Sequence, residues 1–288
     1  MSESIKTYQM VINGKWVNSC DDDWINVENP ANKTIFARVP RGKAADVNIA
    51  VDAAKKAFKT WSQTSAPDRA KMLHAVADGL EKIKEHLAQT ISTENGNALR
   101  TQSRGEANAT VDIVRYVAGL AREIKGRTNY LSAGTLDYTR REPYGVVGAI
   151  VPWNAPLMLA ALKIIPAVMT GNTIVLKASE EAPLAVLELA RVCNEHLPPG
   201  VVNVITGSGI ECGAPLVEHK HVPKISFTGS TAVGKSILAA ASSRVAAVTL
   251  ELGGKSAQVV FPDVDLDYKA ESVIKSLSYT SQGQSCTA

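Results

Sequence analysis

Three short segments carry residues able to make and break bonds at a carbonyl carbon. Cys286 ends the run Gln282-Gly-Gln-Ser-Cys286, where small polar neighbours leave a thiol accessible. As a thiolate it would be a strong nucleophile. Glu251 lies in Leu250-Glu-Leu-Gly-Gly-Lys255, directly after an apolar run that reads as a strand. A carboxylate there, followed by two glycines that admit a ligand, suits a general base, and burial would raise its pKa toward neutrality. Asn154 lies in Val151-Pro-Trp-Asn-Ala-Pro156, with a proline on either side. A rigidly held amide is a good donor to a developing oxyanion. Each residue also has a plainer reading. Cys286 would be an inert buried thiol, Glu251 an ion pair with Lys255, and Asn154 part of a proline-stiffened turn. The inert-thiol reading is assigned to Cys20, Cys193 and Cys212.

Two further segments suit a phosphate-bearing ligand. Phe227-Thr-Gly-Ser-Thr-Ala-Val-Gly-Lys-Ser236 runs from a strand into a helix. There the free N–H groups and the helix dipole favour an anion. The same letters, Gly229 to Gly234-Lys235-Ser236, also fit the nucleoside-triphosphate loop. That rival needs an Asp at the end of an apolar strand to hold magnesium. Phe261-Pro-Asp263 is the one faint candidate, and Pro262 interrupts it. In Leu176-Lys-Ala-Ser-Glu180 an acid can accept from a ribose diol and a lysine can donate to it. The plainer reading is a helix start with an acidic first turn.

The elements that must hold these segments follow from periodicity. Asn13-Gly14 between apolar runs predicts a hairpin over Val11–Val17. Helices are predicted over Asp46–Thr60, from a Ser65 cap with Pro67 in the first turn, and over Ser103–Lys125. Residues Leu136–Arg141 read as an exposed strand. From Gly145 onward short Val/Ile-rich strands alternate with helices: strands at 146–151, 173–176, 201–205, 224–227 and 245–250, and helices at 157–169, 183–196, 213–219 and 231–241. That alternation predicts an α/β fold with a Rossmann-like parallel sheet covered by helices on both faces. Ligands of such sheets sit at the carboxyl ends of the strands, where these motifs fall.

Composition narrows the function classes. The 288 residues are 45% hydrophobic and 20% charged, with a formal net charge of +3. This evenly spread charge argues against nucleic acid as a partner. The apolar stretch Gly145–Lys177 is broken by Pro152, Asn154, Pro156, Lys163, Pro166 and Gly171, so it lacks the ~20 uninterrupted apolar residues of a membrane span. Four scattered cysteines and an N-terminus without an apolar core suit a reducing, cytoplasmic setting. His219-Lys-His221 has no ligand-spaced partner, so no metal is expected.

Together the five motifs resemble those of the aldehyde dehydrogenase superfamily, and the resemblance extends along essentially the whole chain. Cys286 stands 35 positions after Glu251, which suits that family. Three positions depart from its commonest pattern: Ala155 in place of an aromatic, and Ala178 and Ala257 in place of prolines. None removes a reacting group, although Ala155 would reshape the aldehyde tunnel. The resemblance makes the nucleotide-loop match a coincidence of an anion-binding turn.

The resemblance implies oxidation of an aldehyde to a carboxylic acid through a thiohemiacetal and thioester on Cys286, with hydride passing to NAD. Asn154 and the Cys286 N–H would hold the oxyanion, and Glu251 would activate the hydrolytic water. Lys163 matches a lysine near the site, serving in pairing or pKa tuning. Val151, Trp153, Lys177, Glu180, Gly209, Phe227, Gly229, Ser230, Val233 and Leu252 would form the cofactor bed. Glu180 beside a 2′-phosphate would repel it, which favours NAD over NADP. Leu159 and Leu162 would supply an aliphatic lining for the substrate. The implied organisation is an NAD-binding domain over 1–125 and 143–253, an oligomerisation arm over 126–142 serving a homodimer or homotetramer, and the incomplete start of a catalytic domain over 254–288. On that reading the chain is partial and does not turn over alone. A P-loop nucleotide hydrolase and a noncatalytic dinucleotide-binding fragment are the alternatives.

Overall fold

The computed structural model describes residues 5–265, 270–274 and 284–286. Gln282 and Gly283 of the cysteine motif lie outside the described residues. The chain opens with β1 (Lys6–Thr7), the hairpin β2 (Met10–Ile12) and β3 (Lys15–Val17), then β4 (Trp24–Asn29) and β5 (Thr34–Pro40). In the hairpin turn Asn13 and Gly14 have φ of 53° and 73°. Both central residues are thus left-handed, as a type I′ turn requires. A Cβ on Gly14 would lie 3.1 Å from Pro199. β5 pairs with β1 in parallel and with β4 antiparallel, the latter with a register shift at Val27/Glu28. This small sheet was not anticipated, because the shift interrupts the alternation of β4.

Helices follow: α1 (Ala44–Trp61), α2 (Ala66–Asn95), a π-turn over Leu99–Ser103, and α3 (Arg104–Gly119). Ser65 caps α2, its Oγ accepting from Asp68 N at 3.2 Å, and Gly96 ends it with φ of 78°. The last turn of the expected third helix tightens into a 3-10 turn over Leu120–Arg122. Ile124 is therefore off the helix and exposed. Residues expected to contribute one strand form an antiparallel pair, β6 (Thr128–Ser132) and β7 (Thr135–Tyr138), whose Tyr130, Leu131, Leu136 and Tyr138 are exposed.

The remaining elements alternate: β8 (Val146–Ile150), α4 (Pro156–Met169), β9 (Thr173–Lys177), α5 (Leu184–His196), β10 (Val202–Ile205), α6 (Ala214–Glu218), β11 (Lys224–Gly229), α7 (Thr231–Ser242) and β12 (Ala247–Leu252). Their sheet has the order β12-β11-β8-β9-β10-β2-β3. β8 to β12 run parallel, as the βα rhythm predicts, and the early hairpin adds an antiparallel edge. Every residue of β9 is buried, and its side chains alternate between two cores. Ile174 and Leu176 pack with α2, α3, α4 and α5, while Val175 packs with α1, α6 and α7. After β10 the chain returns to place β11 on the far side of β8. That reversal of strand order opens a crevice at the carboxyl ends of β8 and β11. No described helix is long and apolar enough to cross a membrane.

Candidate active site and dinucleotide cleft

The loop after β8, the end of β12 and the segment before Cys286 meet in one cleft of about 350 Å³. Asn154, Leu159, Thr228, Ser230, Glu251 and Cys286 are among its lining residues. The Asn154 amide donates through Nδ2 to the carbonyl oxygen of Gln284 at 2.9 Å, tying the oxyanion candidate to the strand of chain that carries the thiol. An amide nitrogen has two hydrogens, so among the described residues one donor remains for a ligand. Cys286 is exposed, Cys193 and Cys212 are buried, and burial pushes both of the latter up to about 12. Cys20 departs from its expected buried state and is also exposed.

Glu251 stands inside β12, opposite Thr228 of β11, not in the loop after the strand. It is exposed, where the sequence suggested burial. Lys255 donates to Gly254 O in place of the ion pair with Glu251 that the plainer reading supposed. Alternation along β11 and β12 turns Ser226, Thr228, Thr249 and Glu251 to one face of the sheet. α4 covers that face, and from it Lys163 Nζ donates to Ser226 Oγ at 3.0 Å. Burial pulls the Lys163 ammonium down to about 8, against the attraction of Glu251 and with a contribution from the Lys224 charge. Lys163 therefore stands behind Glu251, in a separate cleft with Leu162, and lines no part of the cleft containing Cys286. Leu159 alone of the two expected leucines faces that cleft.

Beside it lies an apolar hollow of about 390 Å³ between α6 and α7, lined by Ile150, Gly209, Ile210, Phe227, Val233 and Ile237 among others. A flat, weakly polar ring suits such a slot. Trp153, Gly229, Ser230 and Leu252 line the polar cleft, while Gly209, Phe227 and Val233 line the apolar hollow. The expected cofactor bed is thus two adjoining compartments. Val151 lines neither; it is buried in the core, with its N–H donating to Lys177 O at 3.3 Å. Lys177 is buried and its Nζ donates to Glu180 Oε2 at 2.5 Å. Burial pushes Glu180 up, but the Lys177 ammonium and backbone donors outweigh it and hold the carboxyl below its usual value. Ser230 caps α7, its Oγ accepting from Val233 N at 3.3 Å. Among the described residues the buried Oγ1 of Thr228 has no hydrogen-bond partner. An orphaned polar atom on the wall of the polar cleft fits an oxygen-rich guest.

The nucleotide-triphosphate reading fails on local geometry. β11 runs to Gly229 and α7 starts at Thr231. Gly234, Lys235 and Ser236 are therefore helical, with no loop to wrap a phosphate chain. Gly234 is there for packing, because a Cβ on it would lie 2.6 Å from Leu252.

Comparison with known proteins accords with this geometry. The model of the aldehyde dehydrogenase family matches residues 16–288. The chain belongs to that family. An aldehyde dehydrogenase of Vibrio cholerae serotype O1 is 38% identical over 286 residues, covering 97% of this chain and 56% of that protein. The NAD+ complex of the aldehyde dehydrogenase from Bacillus cereus superposes with a TM-score of 0.95 at 38% identity, over 98% of this chain and 58% of that one. A 3,6-anhydro-L-galactose dehydrogenase in complex with NAP superposes at 0.93 and 36% identity, over 98% and 59%. The chain thus spans a little over half the length of the relatives it matches.

Within this aldehyde dehydrogenase chain, two carboxylates escaped the sequence analysis. Glu94 Oε2 and Oε1 accept from Leu184 N at 2.6 Å and Ala185 N at 3.0 Å. Glu106 Oε1 accepts from Leu157 N at 2.9 Å and Met158 N at 3.1 Å. They cap α5 and α4, whose own cap positions, Pro183 and Ala155, offer no capping side chain. Burial pushes Glu94 up to about 8 and Glu106 up to about 7, each opposed by the two backbone donors. The sequence signal was the missing cap itself: two buried helices whose cap positions hold Pro183 and Ala155 in place of Ser, Thr, Asp or Asn.

Proposed function

We propose that Cys286, Asn154 and Glu251 are the reacting set for oxidation of an aldehyde to its carboxylic acid, with a nicotinamide dinucleotide as hydride acceptor. The observation that carries this reading is that all three line one cleft, at the strand-order reversal and beside an apolar hollow of about 390 Å³. The Cys286 thiolate attacks the aldehyde carbon, and the resulting thiohemiacetal oxyanion takes hydrogen bonds from Asn154 and the Cys286 N–H. The dinucleotide, when bound, supplies the hydride acceptor that turns this adduct into a thioester. Glu251 then draws a proton from water, whose attack releases the acid and restores the thiolate. Lys163, held by Ser226 on the face of the sheet that Glu251 shares, is the nearby lysine of this reading.

Lys177 and Glu180 would hold the adenosine ribose, with Ser230 and the α7 N-terminus toward the pyrophosphate. NAD is favoured because the Glu180 carboxylate repels a 2′-phosphate. The exposed β6–β7 pair would be the oligomerisation arm, with the NAD-binding domain flanking it and the catalytic domain beginning near Gly254. We further propose that the 288-residue chain alone makes no NADH from aldehyde, since Cys286 is exposed and hydride transfer needs water excluded.

Titration with NAD by calorimetry, combined with trapping of Cys286 as an acyl adduct, tests the reading. Saturable NAD binding and acylation lost in Cys286→Ala are expected. Failure of Cys286→Ala to affect acylation would refute the nucleophile. NADH production from aldehyde by the purified chain would refute the proposed inactivity.

A further inference from the structure

We propose that Glu106 and Asn97 are positioning residues that set the Asn154 amide for oxyanion binding. This rests on the reading of Asn154 given above. Pro152 and Pro156 stiffen the Asn154 loop, but they leave its main-chain donors and acceptors to be satisfied from elsewhere. Ala155 has no capping side chain, and Pro156, the first residue of α4, has no N–H. The first free N–H groups of the helix, on Leu157 and Met158, both donate to Glu106 Oε1. On the other side of Asn154 two main-chain carbonyls are held. Trp153 O accepts from Asn95 Nδ2 at 3.2 Å, and Asn154 O accepts from Asn97 Nδ2 at 3.1 Å. Four main-chain groups around one catalytic amide are therefore held by three side chains from α2, α3 and the connection between them.

That connection is stiff enough to serve. Asn97 is 4% exposed and Glu106 8% exposed. Asn97 O accepts from Ser92 Oγ at 2.7 Å, and Asn97 N donates to Asn95 Oδ1 at 2.9 Å. Gly96 takes the left-handed conformation that turns the chain from α2 into this cluster. Oxyanion donors act through preorganisation, and a displacement of about 1 Å from the productive position can cost about 10²-fold in rate. Loss of one anchor should therefore be felt at Asn154 without either residue touching substrate.

Two reagents separate positioning from nucleophilicity in the chain as it stands. With p-nitrophenyl acetate the Cys286 thiolate attacks the carbonyl carbon through a tetrahedral oxyanion, the C–S bond forms, and p-nitrophenolate leaves with the bonding pair. With iodoacetamide the thiolate displaces iodide at a saturated carbon, and no oxyanion forms. The ratio of acylation to alkylation rate thus reports the oxyanion donor. Both rates are read at Cys286 in a Cys20→Ser background, because Cys20 is exposed as well.

Glu106→Ala and Asn97→Ala should each lower the ratio about tenfold, within the range expected for a displaced donor. Glu106→Gln, which keeps an acceptor oxygen, should restore most of it. Leu80→Ala, a fully buried core truncation in α2 away from the cleft, should leave the ratio unchanged while lowering the melting temperature. If Asn154→Ala lowers the ratio but Glu106→Ala and Asn97→Ala do not, this inference is overturned and the Asn154 reading stands. If Asn154→Ala leaves the ratio intact, the Asn154 reading itself fails. An equal fall in Leu80→Ala would show general loosening and also overturn the inference. Should Glu106→Ala not fold, Asn97→Ala, which removes a single bond to a carbonyl, decides.

Discussion

Replacing Glu94 by glutamine should flatten the pH dependence of stability between about pH 5 and 8. Glu94 is 2% exposed and caps α5 with both carboxyl oxygens. Burial raises its folded pKa from 4.5 to about 8, and the Glu106 charge adds to the rise. A carboxyl whose folded pKa lies above its unfolded value holds its proton in the native state where the unfolded chain has released it. Its contribution is fully present below about pH 4.5 and is lost as pH rises through about 8. At roughly 1.4 kcal/mol per pH unit, the window between those values corresponds to a ceiling of about 5 kcal/mol. A glutamine amide has no such proton to lose, so the Glu94→Gln variant lacks this dependence. It carries a constant penalty of about 1–3 kcal/mol, because the new NH2 faces one of the two N–H donors. Urea unfolding at half-unit steps from about pH 5 to 8.5 gives the comparison. Wild type should lose several kcal/mol relative to its own value at the acid end, and Glu94→Gln less, keeping only the share that Glu106 contributes below about pH 7. Parallel curves for the two proteins would refute the assignment of a neutral, buried Glu94.

In a protein of the relatives' length, Glu251→Gln should permit one turnover of NADH and then stall, seen as a burst without steady state in stopped-flow absorbance. Asn154→Ala should slow acylation of Cys286 by about 10²-fold with alkylation unchanged. Glu180→Ala should shift relative affinity toward NADP by about tenfold, the equivalent of ~1.4 kcal/mol of removed repulsion, as read by competition titration. Gly14→Ala should cost roughly 1–2 kcal/mol, since its left-handed φ and the nearby Pro199 both oppose a Cβ. Leu176→Ala should cost about 2–5 kcal/mol through a cavity in the fully buried sheet core. Denaturant midpoints check the last two.

The centre of the parallel sheet was legible because β8, β9 and β10 are buried on both faces. β9 is apolar up to Lys177 and sits between turn residues, so sequence and structure agree there to within a residue. The Asn13-Gly14 turn was legible for a local reason, its demand for two left-handed residues. β4 and β5 were not, because a register shift breaks the alternation that marks a strand. Glu251 read as a loop residue because the two glycines after Leu252 suggested an earlier strand end, whereas pairing with Thr228 and Gly229 carries β12 to Leu252. Lys163 was correctly placed on α4, yet its partner Ser226 was invisible, since 63 positions separate them. Glu94 and Leu184 lie 90 positions apart. Capping across such spans leaves no local pattern, only an unexplained acid in one helix and an uncapped start in another.

β12 also has a dynamic consequence. Within the described sheet it is the last strand on its side, bonded only to β11. An outer strand can peel away at the cost of one ladder, so its amides should exchange with solvent deuterium well before those of β8 and β9. Glu251 would travel with it. The proposed base is therefore mounted on an outer strand of the sheet, while Asn154 hangs from β8 inside it. Whatever lies against β12 in a given assembly sets how often the proton acceptor is in register with the thiol.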